Sequence, residues 1–411
     1  MPTVLILCEF PTLHGGERSM LATLEGVAAA GWQPSVAAPP QGPLAEALRE
    51  RGVELVPFAT RDALGRRRPR GVLAAELAAL LHRRRPDLLH ANSLSMGRLA
   101  GPVAAELGLA SLAHLRDIVR LSAAAVADLD CHRRLLAVSQ ATARFHQAQG
   151  LTAEKMRVVY NGVDLEQFRP RAATGRLHAE LGVAGDTPLL GVIGQISLRK
   201  GQDLLVRALE GLCRYVGWVE RSEPHQGMVE PALVGLATLD PPYFGSAVAH
   251  VAALPQPHLL IIGERYSGKA ESRQFEADLR TAAGGALAGR LHFLGFRLDV
   301  DRILSELTLL VHPARQEPLG RVLLEAAAAG VAVIATDVGG TREIFPPECR
   351  AARLVPPESA PALARAIAEL LADPRERARL ATAARGRIEQ CFDRTRAAAA
   401  LVEQYESSYE Q

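Results

Sequence analysis

Glu317 and Glu325 stand eight residues apart in Glu317-Pro318-Leu319-Gly320-Arg321-Val322-Leu323-Leu324-Glu325-Ala326-Ala327-Ala328-Ala329-Gly330, across what reads as a loop running into a small apolar helix. Carboxylates accept hydrogen bonds from hydroxyl groups, and Glu325 falls among apolar residues, where a charge is costly unless something binds it. Glu317 precedes the first turn of the helix, whose free N–H groups suit an anion. Two acceptors for sugar hydroxyls beside a phosphate-ready helix end suggest a nucleotide-sugar site. The alternative is an N-terminal Glu favoured by the helix dipole together with one solvated Glu.

Two further stretches offer matching chemistry. Gly194-Gln195-Ile196-Ser197-Leu198-Arg199-Lys200-Gly201 leaves a strand-like run for a helix, and Lys200 could set a cation against a leaving diphosphate. Taken alone it also fits a βα loop with a solvated Lys. Thr336-Asp337-Val338-Gly339-Gly340-Thr341-Arg342-Glu343 is a second glycine-rich turn into a helix, where backbone can come close to another group.

The elements that must position these residues follow one rhythm. Short β-like runs at 4–8, 35–38, 53–57, 88–90, 111–115, 135–138 and 158–160 alternate with Ala- and Leu-rich helical patterns at 17–30, 44–51 and 72–84. The rhythm restarts at 188–194 and continues through 258–262, 291–293, 309–312, 331–335 and 352–355. This is the pattern of parallel sheets covered by helices, and it predicts an α/β chain of two tandem Rossmann-like domains facing each other across a cleft. The domains are expected over 1–172 and 173–388, with a helix at 389–411 returning to the first. Residues 213–257 break the pattern and read as an inserted surface excursion.

Bulk properties exclude several classes. The 411 residues are 48% hydrophobic and 22% charged, with net charge +2, which gives nucleic-acid binding no support. Residues 1–172 carry 21 Lys+Arg against 16 Asp+Glu and the remainder 26 against 29. This unevenness permits an anionic acceptor or membrane surface near the first part. Five cysteines without a CxxC pair fit a reducing, cytoplasmic compartment. No apolar run reaches the length of a membrane span or a signal peptide, so a membrane would be met peripherally, from its inner face. Arg66-Arg67-Arg68-Pro69-Arg70 reads as a solvated loop that could also touch anionic lipid, and Arg83-Arg84-Arg85 as cations at a helix C-terminus.

Together the motifs resemble glycosyltransferase family 4 (glycosyl transferases group 1), whose members have the GT-B fold. In the first part the resemblance rests on His14-Gly15-Gly16-Glu17-Arg18, Leu88-Leu89-His90-Ala91-Asn92-Ser93, His114-Leu115-Arg116-Asp117, Ala137-Val138-Ser139 and Val159-Tyr160-Asn161-Gly162-Val163-Asp164. In the second it rests on the three motifs above and Phe293-Leu294-Gly295-Phe296. The resemblance implies a retaining transfer of a sugar from a nucleotide diphosphate to a hydroxyl acceptor, in cell-surface polysaccharide or glycolipid synthesis, with no metal or cofactor. The acceptor stays open between a carbohydrate, a lipid-linked glycan and a small molecule.

Carried over residue by residue, the resemblance gives Glu317 the sugar hydroxyls, Glu325 the ribose, and the amides of Leu319 and Gly320 the diphosphate. Lys200 would neutralise the departing charge, Gly15 and Gly16 would bring backbone close to the phosphates, and Phe296 would lie near the base. His114, Lys200 and Glu317 are the expected catalytic residues, although a His after a β-run is also a common structural residue. Arg116 and Asp117 would shape the acceptor side. Gln195 departs from the family, in which Arg is frequent at that place; Gln supplies no charge, and Arg199 is the available substitute. The departure keeps open a degenerate nucleotide-sugar-binding protein. A sugar epimerase on a similar scaffold and a dinucleotide-dependent oxidoreductase are weaker alternatives, the latter for want of a GxGxxG turn.

Overall fold

The computed structural model describes residues 1–221 and 256–410. The alternating pattern forms two all-parallel sheets. The first contains β1 (Thr3–Leu7), β2 (Gln33–Ala38), β3 (Glu54–Pro57), β4 (Leu88–Ala91), β5 (Ser111–Leu115), β6 (Arg134–Ala137) and β7 (Met156–Val158), in the order β3-β2-β1-β4-β5-β6-β7. The second contains β8 (Leu189–Ile193), β9 (His258–Ile262), β10 (Leu291–Gly295), β11 (Leu309–His312), β12 (Val333–Thr336) and β13 (Arg353–Val355), in the order β10-β9-β8-β11-β12-β13. Both orders reverse direction beside their first strand, the arrangement of a Rossmann sheet, whose ligands bind beyond the carboxyl ends of the strands at that reversal.

β1, β4, β5, β8, β9, β11 and β12 are buried over nearly their whole length, as expected of strands covered on both faces. In the first sheet Leu5, Leu7, Leu89 and Leu115 pack with Leu73, Leu77, Met96 and Leu99 on one side. Val4, Ile6, Leu88 and Leu112 pack with Leu21, Leu24 and Val27 on the other. In the second sheet Leu190, Val192, Leu259, Val311 and Ile334 pack with Leu205, Leu209, Leu363 and Ile367. Several helices start at a serine whose hydroxyl accepts from the third amide onward: Ser93 from Met96, Ser122 from Ala125, Ser139 from Thr142 and Ser359 from Ala362. Each such cap contributes on the order of 1 kcal/mol.

The chain divides into two compact units, Met1–Asp164 with Cys391–Gln411, and Leu165–Gln390. The C-terminal segment joins the first unit through a strand-like clamp, in which Val163 N donates to Phe392 O and Arg394 N to Val163 O. The helix Arg394–Tyr409 then places Leu401, Val402 and Tyr405 in the core beside Val4, Ile6 and Trp32. Burying each of these side chains is worth roughly 1.5–3 kcal/mol. Arg133 donates to Ser408 O and so ties the far end of this helix down.

One expectation needs correcting. The helix expected to end near Leu212 runs from Gln202 to Arg221, so the start of the supposed excursion at 213 is helical; its remainder, 222–255, lies outside the described residues. The arginines at 66–70 are largely solvent-exposed, as expected, and each also meets a carboxylate. Arg66 pairs with Asp62, Arg67 with Glu9, Arg68 with Glu76 and Arg70 with Asp128, and Arg70 begins the helix Arg70–Arg84. That helix does end in Arg83 and Arg84, with Arg85 capping it, cations at a C-terminus. No helix among the described residues is long and apolar enough to cross a membrane.

Candidate active site

In the second unit Lys200 and Glu317 are brought together just beyond β8 and β11, which lie side by side. β8 is followed by Gly194 and Gln195, and the chain then makes a single tight turn, Leu198–Lys200. β11 ends at His312, five residues before Glu317. Lys200 Nζ lies 2.5 Å from Glu317 Oε2, and His312 Nε2 donates to the same oxygen at 2.7 Å. Glu317 is 4% exposed and His312 1%. Burial alone would raise the Glu317 carboxyl; Lys200 and His312 outweigh it and hold the group well below the usual carboxylate range. Burial and the Lys200 charge lower His312, which is therefore a neutral ring donating from Nε2. Both donors take Oε2, and Oε1 receives none among the described residues.

The loop after Glu317 is shaped by glycine. Gly320 has φ +84°, and a Cβ there would stand 2.7 Å from Leu323 Cδ1. The helix Arg321–Ala328 starts directly after it. The amides of Leu319 and Gly320 have no protein acceptor among the described residues. Gly339 and Gly340 do permit a close approach, and the group approached is the protein itself: Gly340 N donates to Glu317 O, and a Cβ on Gly339 would fall 1.9 Å from that oxygen. The second glycine turn thus holds the Glu317 backbone in place.

Glu325 is buried, which removes the reading of a solvated acid. Arg321 Nε lies 2.8 Å from its Oε1, near enough for charge attraction, yet the alignment is not that of a hydrogen bond. The main-chain carbonyl of Gln195 accepts from Gln202 Nε2. Arg199 forms no ion pair among the described residues, while its charge is felt at His312. Phe296 is 40% exposed, with its amide 3.3 Å from Glu264 Oε1.

The first unit holds the remaining expected residues. His114 is the last residue but one of β5 and is buried, with Arg116 two residues on. Arg116 donates to Asn92 O at 3.0 Å, Asn92 Oδ1 at 2.8 Å, Asn161 Oδ1 at 2.9 Å and His114 Nδ1 at 3.2 Å. Gly15 and Gly16 open the helix Gly15–Ala29. A Cβ on Gly15 would meet nothing, and one on Gly16 would come to 3.3 Å of Arg116 Cδ, so Gly16 makes room for that guanidinium. The Asp117 carbonyl accepts from His146 Nε2.

Sequence reasoning missed four residues. His312 carried a usable signal, a His closing a β-run just before the first Glu of the pair. Arg315 donates to Leu198 O and forms a two-pronged contact with Asp203, so it braces the turn that carries Lys200. Glu9 and Glu17 are buried carboxylates in the first unit, where none stood out from sequence; burial raises the Glu17 carboxyl. Nothing local in the sequence separates Arg315 and Glu9 from surface charges, and Glu17 stood in the His14–Arg18 motif without a role.

Family models match both units: Glycosyltransferase Family 4 over residues 13–167 and Glycosyl transferases group 1 over residues 238–373. The lipopolysaccharide core mannosyltransferase LpcC of Rhizobium leguminosarum is 31% identical over 218 residues, covering 53% of this chain and 50% of that protein. A D-inositol 3-phosphate glycosyltransferase of Kineococcus radiotolerans is 26% identical over 381 residues, covering 85% and 79%. The chain spans about half the length of the first curated relatives it matches. Anabaena HepE, solved with UDP and glucose, superposes with a TM-score of 0.78 at 21% identity, covering 98% of this chain and 99% of that one. With one model on each unit and two sheets of Rossmann order, the chain belongs to the family 4, group 1 glycosyltransferases of GT-B fold.

Proposed function

We propose that this protein transfers a sugar from a nucleotide diphosphate to a hydroxyl acceptor with retention of configuration, in the synthesis of a cell-surface polysaccharide or glycolipid. The observation that carries this reading is the environment of Glu317. One oxygen is saturated by Lys200 and His312, and the other is left for a ligand hydroxyl beside the two uncommitted amides of Leu319 and Gly320. Such a group accepts from a neutral polyol and leaves N–H donors for the adjoining phosphates. Glu325 then takes the ribose diol, Phe296 lies by the base, and Arg199 supplies the charge that Gln195 lacks. HepE, named as a complex with UDP-glucose, supports a nucleotide-sugar ligand.

In the transfer, the acceptor oxygen bonds to the anomeric carbon as the bond from that carbon to the phosphate oxygen breaks. The bonding pair leaves with the diphosphate, and a phosphate oxygen on the same face takes the acceptor proton. Lys200 stabilises the negative charge that builds on the leaving group, an effect realised in the transition state. The first unit contributes His114 as a neutral hydrogen-bond donor to a sugar oxygen. Peripheral contact with an anionic membrane is not favoured through residues 66–70, whose four guanidinium groups already face carboxylates.

The test is a panel of UDP- and GDP-sugars, read by thermal shift, by slow donor hydrolysis and by NMR of the released anomer. A bound donor should raise the melting temperature, and hydrolysis should first release the donor's own anomer. Stabilisation without turnover under any acceptor would favour the degenerate binding protein instead. Failure of every nucleotide sugar to stabilise the chain would end the proposal.

A further inference from the structure

Three buried side chains from distant parts of the first unit form a continuous hydrogen-bonded line. Tyr405 Oη lies 2.7 Å from His90 Nδ1, and His90 Nε2 lies 2.9 Å from His114 Nδ1. Tyr405 and His90 are at most 1% exposed and His114 is 3% exposed. Tyr405 belongs to the C-terminal helix and is held edge-on by Trp32 at 5.3 Å between ring centres. We propose that Tyr405 and His90 are positioning residues that hold His114 as its Nε2–H tautomer, so that the ring presents a donor and not a lone pair to the ligand. This inference rests on the sugar-transfer reading above and adds to it two residues that act only through His114.

Two donors converge on His114 Nδ1, the nearer being His90 Nε2, whose role depends on Tyr405, and the second reveals where the protons lie. Arg116 Nη2 reaches His114 Nδ1 at 3.2 Å, and a guanidinium can only donate. His114 Nδ1 is therefore the lone-pair nitrogen, and the proton between the two rings sits on His90 Nε2. Burial beside the Arg116 charge keeps both rings neutral, so His90 Nδ1 is unprotonated and accepts from the Tyr405 hydroxyl. The remaining proton of His114 is then on Nε2, which has no protein acceptor among the described residues. A ring fixed in one tautomer pays no cost of reorientation when a hydroxyl or phosphate oxygen arrives. The line also gives Tyr405, 291 positions beyond His114, a consequence for chemistry in addition to its packing.

Tyr405→Phe removes the hydroxyl and keeps the ring against Trp32. Nitrogen-15 NMR of the histidine rings should find His114 as the Nε2–H form in the natural protein; in the variant the 2.9 Å contact from His90 is no longer fixed as a donor and only the longer contact from Arg116, 3.2 Å, still favours that form, so an Nδ1–H fraction should appear. The kcat of donor hydrolysis or transfer should fall about five- to tenfold, the scale of one hydrogen bond, with KM little changed. Tyr409→Phe, on the same helix and also against Trp32, should leave both readouts as they are. If Tyr405→Phe folds poorly, His90→Gln replaces it: its amide can accept from Tyr405 and donate to His114, and it should retain more activity than His90→Leu. An Nδ1–H form of His114 in the natural protein, or a tautomer and kcat unmoved in Tyr405→Phe, would overturn the inference. The NMR readout needs no substrate, so a chain that transfers no sugar would defeat the functional proposal while the tautomer still decides this one.

Discussion

Lys200 and Glu317 form a buried ion pair, which changes what a substitution there measures. From sequence, Lys200→Ala should reduce transfer far more than it loosens folding. With Lys200 and Glu317 side chains 14% and 5% exposed, removing the cation strands a carboxylate in a dry site. Lys200→Met is therefore expected to lower unfolding stability by roughly 3–5 kcal/mol as well as to abolish transfer. Lys200→Met combined with Glu317→Gln should recover most of that stability, since His312 can still donate to a neutral amide oxygen, and should recover no transfer. Urea melts beside a transfer assay check this; a double variant as unstable as the single one would mean that charge is not what ties the two residues together.

At the scale of elements, the glycine turns are what aim Glu317. Gly339→Ala would drive a methyl group to 1.9 Å from the Glu317 carbonyl, backbone against backbone, with φ at +53°. Gly320→Ala meets the movable end of Leu323 and a φ of +84°. Backbone strain of this kind costs on the order of 1–3 kcal/mol. Gly52 also has a positive φ, +65°, but open space around it, so Gly52→Ala reports strain alone. The expected order of lost nucleotide-sugar affinity, measured by calorimetry, is Gly339→Ala, then Gly320→Ala, with Gly52→Ala unchanged. Equal affinities in all three would detach the turn from the site.

At the scale of the molecule, stability should depend on pH through buried histidines. Burial lowers His90, His114, His132 and His312 below the ordinary histidine value of 6.5, His132 to about 4. In the unfolded chain these rings take up protons near 6.5, and in the folded chain they do not. Stability is thus greatest above that value and falls as pH drops from about 7 to about 5. Glu317 adds nothing in that window: its depressed carboxyl contributes fully above its ordinary value of 4.5 and loses that contribution only below it. At the alkaline end Cys8 is pushed up to about 12 from 9.0, so stability declines as pH rises past 9.0. Melting curves across pH check the sign; a melting temperature that climbs between pH 7 and 5 would contradict it.

Much of this protein was legible in its residues because the signals were local. Runs such as 189–193 and 309–311 are apolar throughout, which marks strands covered on both faces, and the Glu317–Glu325 spacing needed only eight residues to be seen. Tertiary structure decided what depends on distant partners. It joined Lys200 and His312 to a single oxygen of Glu317 and showed that the glycines at 339 and 340 serve the Glu317 backbone. It gave each arginine from 66 to 70 a carboxylate, and it set Tyr405 at the far end of a line to His114. A hydrogen bond between residues hundreds of positions apart leaves no periodicity in the chain, so only the folded packing could specify it.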